Sequence, residues 1–264
     1  MDRTEQRDDL WTLSAIGVLA AMAATLPHEL IGHGAGCLAA GGEVRLVTTV
    51  FFRCEGGGAI GDLGGPLGNL TWGVIALGMM SSRRVAHPEA RLFLLLTAGF
   101  SLFWFFGQLA LAGLTTGDDW IYAAHQAGWP PEWRIAAVVA GVAGYDLTRR
   151  AMTRSMRTLA PVAGWSAVGR RFLFPWLAGL GAMLISAALY VPAQGRGVMD
   201  VLLGFGAAPL GLVLALVMAK RQGPTGDDAN RTPLPRRLTW ITPAAIAYAL
   251  FCLTLGLGIG PGVI

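Results

Sequence analysis

Residues 10–40 read LWTLSAIGVLAAMAATLPHELIGHGAGCLAA, and this stretch decides the fold. A helix needs about 20 apolar residues to cross a bilayer, at 1.5 Å per residue. The stretch exceeds that length, so it reads as a long first membrane span. Pro27 and the segment His28–His33 interrupt it. Ionisable side chains inside a span are costly, and they mark a functional site by default.

The same reading extends along the chain. Pro66–Met80 gives a second span, entered through Gly64-Gly65-Pro66, and Leu92–Leu114 a third, rich in Phe and Leu. Ile135–Leu147 is a weak fourth, short enough to be re-entrant. Phe172–Ala193, Val198–Ala219 and Leu238–Ile259 are three plainer spans. Only 14% of the 264 residues are charged and mean hydropathy is +0.54, whereas a soluble domain carries about 25% charge. Such a composition excludes a soluble enzyme, a disordered chain and a nucleic-acid binder. No repeat supports an inverted-repeat transporter, and the three C-terminal spans lack mid-span charges. Residues 1–9 are of mixed charge with no A-x-A-type cleavage site after the first apolar run, so no signal peptide is expected.

Arginines orient the chain. With seven spans and the N-terminus inside, the cytoplasmic segments hold 16 Lys and Arg and the opposite side 4. This is the pattern of a bacterial inner-membrane protein. If Ile135–Leu147 does not cross, the first three spans invert and the split becomes 14 to 6. Between the first two spans, Val44–Arg53 is β-branched and aromatic and bounded by glycines, which predicts a strand or hairpin. Extended backbone at membrane depth survives only against protein or a wet cavity, so the hairpin is expected to roof something. Cys37, Cys54 and Cys252 make no disulfide framework and read as small buried hydrophobes. A Cys37–Cys54 bridge requires both to face an oxidising compartment.

His28, Glu29 and His33 are the ionisable groups well inside the spans; Asp146 and Asp200 lie near span ends. The bland reading is a polar patch that cross-links helices. The sharper one is a variant of H-E-x-x-H, in which two histidines bind zinc and the glutamate is the base. Here the histidines are five residues apart rather than four. On a regular α-helix, residues at i and i+5 differ by about 140° of azimuth, against about 40° for i and i+4. Either a π-bulge between Pro27 and Gly34 absorbs the extra residue, or Glu29 and His33 chelate together and His28 supports them.

Zinc takes a third protein ligand, often a carboxylate. Asp118 and Asp119 follow the third span; either could instead cap the helical segment beginning at Trp120. His125 is a further candidate. Gly61-Asp62-Leu63-Gly64-Gly65-Pro66-Leu67-Gly68-Asn69 reads as a helix start with proline in the first turn. Asn69 then lies one turn inside an apolar span, where it needs a partner. Alternating helices bring His28–His33, Asn69 and Asp118–Asp119 to one side of the membrane.

This order of motifs resembles the site-2 protease family of intramembrane zinc metalloproteases, over roughly residues 10–125. The departures are the longer histidine motif and Gly-Asp-Asp-Trp in place of the family's third motif, so the chain looks like a divergent branch. From the spans and the hairpin read above, the chain is expected to be an all-α polytopic membrane protein of about seven transmembrane helices with a small β-hairpin. The resemblance implies one Zn2+ held by His28, His33 and Asp119, with Asp118 as second choice. It makes Glu29 the catalytic base and Gly65, Pro66 and Asn69 substrate-positioning residues. The substrate would be a membrane-anchored peptide in the lipid bilayer; by the arginine count, and unlike many relatives of the family, the site would open on the non-cytoplasmic side. The expected division is a metalloprotease-like core at 1–148, a basic cytoplasmic loop at 149–171 and three accessory spans at 172–264. The alternative is a non-hydrolytic metal-binding or structural membrane protein on the same scaffold.

Overall fold

A computed structural model describes residues 7–81, 85, 87–160, 165–225 and 232–261. Asp9 starts α1 (Leu10–Leu26): its carboxylate accepts hydrogen bonds from the Thr12 amide and hydroxyl, both at 2.9 Å. The helix passes without a break into a π-helical segment, Pro27–His33, and then into α2 (Gly34–Ala39). Gly41, at φ +77°, turns the chain into β1 (Glu43–Val47), which pairs antiparallel with β2 (Phe52–Glu55). A bulge between Val44 and Leu46 shifts the register. The chain then forms α3 (Gly58–Ser81), α4 (Pro88–Leu111), the short α5 (Asp119–Ala127) and α6 (Trp133–Leu159). Four more helices follow: α7 (Trp165–Leu189), α8 (Gln194–Val201), α9 (Leu210–Gln222) and α10 (Leu238–Phe251). A second π-helical segment, Leu202–Ala207, lies between α8 and α9.

The protein is an all-helical polytopic membrane protein with a small antiparallel hairpin after its first span. Among the described residues, five helical stretches are long and apolar enough to cross: Leu10–Ala39, Pro88–Leu111, Ala167–Leu189, Gly195–Gln222 and Leu238–Gly256. Seven were expected. The other two candidates fall in α3 and α6, which have 24 and 27 residues but mix apolar and polar positions. Ile135–Leu147 is only the first half of α6. Its second half carries Arg149, Arg150, Arg154 and Arg157, so part of the expected loop at 149–171 is helix.

Two further expectations are corrected. The helix carrying Asn69 begins at Gly58 rather than Pro66, so Pro66 is interior and Asn69 sits midway along α3. Glycine steered the sequence reading to a late start, but the helix runs through its glycines, of which Gly64 and Gly68 lie directly against the backbone of the first span. Cys37 and Cys54 are bridged, with Cα atoms 5.9 Å apart, a spacing ordinary for disulfides. Cys252 is free.

The core forms where α1, α4 and α7 meet, around Leu13, Ile16, Leu95, Phe100 and Phe103, with Phe205 joining from the second π-segment. At one end of the bundle Arg171 is buried. It donates to both oxygens of Asp8, at 2.7 and 3.1 Å, and to the carbonyls of Leu159 and Thr232. A buried charge of this kind is tolerated only when fully paired.

Candidate metal centre

The π-helical segment solves the spacing problem posed by His28 and His33. Its i→i+5 hydrogen bonding adds a residue to the turn and brings positions five apart onto neighbouring azimuths. The two imidazoles meet edge to face, with ring centroids 4.9 Å apart. Gly32 permits this bulge to pack: a Cβ there would strike the Gly64 carbonyl, so the π-segment and α3 touch backbone to backbone.

Asp118 and Asp119 separate cleanly. Asp118 is the N-cap of α5, its Oδ1 accepting from the Ile121 amide at 2.9 Å and its Oδ2 from the Thr115 hydroxyl at 2.6 Å. Burial pushes its carboxyl above the usual range, against the pull of those hydrogen bonds. Asp119, in the first turn of α5, points the other way. Its Oδ2 lies 3.2 Å from His28 Nε2 and its Oδ1 3.5 Å from His33 Nε2. Burial pushes this carboxyl up, but the two imidazoles outweigh it and hold it below its ordinary value.

Both rings are oriented from behind. His33 Nδ1 lies 2.8 Å from the Gly61 carbonyl, so Nδ1 carries the proton and donates it, leaving the Nε2 lone pair free. His28 Nδ1 lies 3.0 Å from the Asn69 side-chain amide. As placed, that amide atom is Nδ2, which donates to Nδ1 and leaves Oδ1 without a hydrogen-bond partner among the described residues; exchanging the two amide atoms lets Nδ1–H donate to Oδ1 instead. Trp104 stacks on His28 at 4.3 Å and Phe52 on His33 at 5.2 Å. Gln108 donates to Asp119 Oδ2 at 3.2 Å.

One ligand atom from each of His28, His33 and Asp119 falls within a 4.8 Å cluster. Neighbouring ligands of a tetrahedral zinc with bonds of about 2.0–2.1 Å are about 3.3 Å apart. The two His–Asp spacings, one to each carboxylate oxygen, lie close to that value, and the donor set suits a divalent metal. The protein therefore presents a buried His/His/Asp cluster capable of coordinating a divalent metal ion.

The other candidates are placed as follows. Glu29 is buried beside the cluster, its Oε1 3.9 Å from His28 Nε2. Gly65 lies against His33, where any Cβ would collide with the imidazole. Close packing, not flexibility, is what the glycines of α3 supply here. Pro66 is within α3. His125 is exposed on α5 and stands apart from the triad. Asp146 pairs with Arg149 and Arg150. The orienting residues Trp104, Phe52, Gln108 and the Gly61 carbonyl carry no signal a motif reading could use.

Glu29, His33, Phe52 and Asp119 line a cavity of about 250 Å³. α8 and the π-segment after it also contribute to its wall, through Arg196, Asp200, Leu203 and Gly204. The C-terminal helices are thus part of the site. At the hairpin, Val47 exchanges both backbone hydrogen bonds with Ile259, each at 2.8 Å. One edge of β1 is therefore occupied. Since Val47 opposes Phe52 and bonds away from it, the Phe52 amide and carbonyl are directed away from β1.

Comparison with protein-family models, with curated proteins and with solved structures finds no match for this chain.

Proposed function

We propose that this chain is a membrane-embedded metalloprotein that holds one zinc ion at His28, His33 and Asp119 and hydrolyses peptide bonds of membrane-anchored substrates. The observation that carries the metal reading is the pair of oriented imidazoles aimed at one carboxylate. A bound zinc would supply Lewis-acid polarisation and an acidified water near neutral pH. Glu29, buried beside His28, is the group placed to take the water's proton as general base. The Gly61 carbonyl accepts from His33 Nδ1 and so favours the ligating tautomer there, and Asn69 does the same for His28 in the amide orientation that presents Oδ1. The outward-directed Phe52 amide and carbonyl offer main-chain pairing to an extended peptide. Gly65 and Asn69 then act through the histidines, and Pro66 through the course of α3.

Seven crossings, with α3 and α6 included, bring the centre to the non-cytoplasmic side with the N-terminus inside. The Cys37–Cys54 bridge supports that side, because disulfides persist in oxidising compartments. The arginine distribution points the same way.

A second reading is a metal-binding protein without hydrolytic activity. It is favoured by one fact: every arrangement described around the triad is a binding geometry. The deciding experiment is turnover of a membrane-anchored peptide by zinc-loaded wild type and Glu29→Gln. Turnover by wild type that is lost in Glu29→Gln with zinc retained supports the hydrolase and its base; turnover indifferent to Glu29 removes the base, and no turnover by zinc-loaded wild type removes the hydrolase.

A further inference from the structure

The cavity over the metal centre is strongly acidic. Glu29, Asp62, Asp118, Asp119 and Asp200 all line it, and among the described residues Arg196 is the only lysine or arginine that does so. Arg196 stands on α8, at the start of the apolar stretch Gly195–Gln222. Its guanidinium lies over the Phe51 ring, 5.4 Å from the centroid, and so is held against the hairpin. The stacking fixes its position by a cation–π contact without using its N–H donors. The nearest carboxylate, Asp200, is 3.8 Å from Nε, beyond hydrogen-bonding reach, and the two side chains are 64% and 39% exposed. An ion pair so open contributes little. Arg171 and Arg237, by contrast, direct theirs into close hydrogen bonds with Asp8 and Glu89.

A planar guanidinium fixed on an aromatic ring, with its fork unspent, suits bidentate capture of a carboxylate. The cavity volume, about 250 Å³, lies below the roughly 300–1,000 Å³ of sites that enclose a whole small ligand. It suits a short piece of a longer chain. We infer that Arg196 is a specificity-determining residue that binds a carboxylate of the peptide substrate, either its C-terminus or an acidic side chain close to the reacting bond. The inference rests on the zinc peptide-hydrolase reading proposed above.

The test uses the full chain in nanodiscs of zwitterionic lipid, loaded with Co2+ and read by visible absorption. The probes are three peptide hydroxamates of one core sequence. One ends in a carboxylate, one in a carboxamide, and one in a carboxamide with a glutamate side chain. At least one carboxylate probe is expected to bind about tenfold more tightly than the neutral probe, the gain of one charge-assisted contact. That ratio falls to about one in Arg196→Gln and partly recovers in Arg196→Lys. Comparing the two carboxylate probes separates chain end from side chain. Equal affinities in wild type, or a ratio that persists in Arg196→Gln, overturns the inference. A ratio that vanishes only in nanodiscs of anionic lipid assigns Arg196 to a lipid phosphate and also overturns it. Absence of any cobalt signal removes the metal reading, and this inference with it.

Discussion

Phe52 lies flat on His33, with ring centroids 5.2 Å apart and planes 15° from parallel. The hairpin and the His/His/Asp cluster are thereby one unit: the strand that covers the cavity also packs on one of the cluster's rings. Two residues beyond Phe52, Cys54 is bonded to Cys37, four residues beyond His33. The ring contact is thus repeated as a covalent one.

Metal content separates the two aspartates. Wild type should bind one zinc per chain by elemental analysis, and His28→Ala, His33→Ala and Asp119→Ala should lose it. Asp118→Ala should keep it and instead lower stability by about 0.5–2 kcal/mol, the loss of a helix cap. Zinc retained in Asp119→Ala and lost in Asp118→Ala would reverse the assignment.

Zinc retention should also fall as pH falls. Both imidazoles must be neutral and Asp119 ionised to ligate, so protons compete with the metal at all three. A titration followed by equilibrium dialysis should show release on the acid side only. Affinity that rises toward low pH would exclude this ligand set.

Gly65→Ala tests the packing behind the centre. The added methyl meets the His33 imidazole, so zinc affinity should drop about 10–100-fold, the usual effect of disturbing a ligand's support. Gly78→Ala, where a Cβ meets nothing within 4 Å, is the control and should bind as wild type.

Thiol counting checks the bridge. Denatured without reductant, the protein should react with maleimide at Cys252 alone, and after reduction at all three cysteines. Replacing both bridged cysteines with serine should cost about 3 kcal/mol, since the bridge closes a short loop. Three reactive thiols before reduction would show that the bridge does not form.

The membrane class, the hairpin and the need for a deformed helix between Pro27 and Gly34 were legible because each follows from a local rule. Apolar run length, β-branched content and the azimuth of residues five apart need no tertiary information. The start of α3 was not legible. Glycine and proline normally mark helix ends, yet between Gly58 and Pro66 the glycines serve close contact with the first span. The disulfide was open for the same reason: spacing alone does not bring Cys37 and Cys54 within reach, whereas the turn at Gly41 and the β1–β2 register do. Arg196 looked like a loop arginine, because its place over Phe51 depends on how α8 meets the hairpin.

The Val47–Ile259 pairing sets an order of events for biogenesis. β1 is translated early, and its outer edge at Val47 stays unsatisfied until Ile259, which follows α10, arrives to pair with it. Contacts so distant in sequence form late, because the intervening loop must first be closed. The roof of the cavity is therefore expected to be the last part of the molecule to set. A nascent chain arrested before residue 257 would carry all three ligand side chains beneath a strand with an open edge.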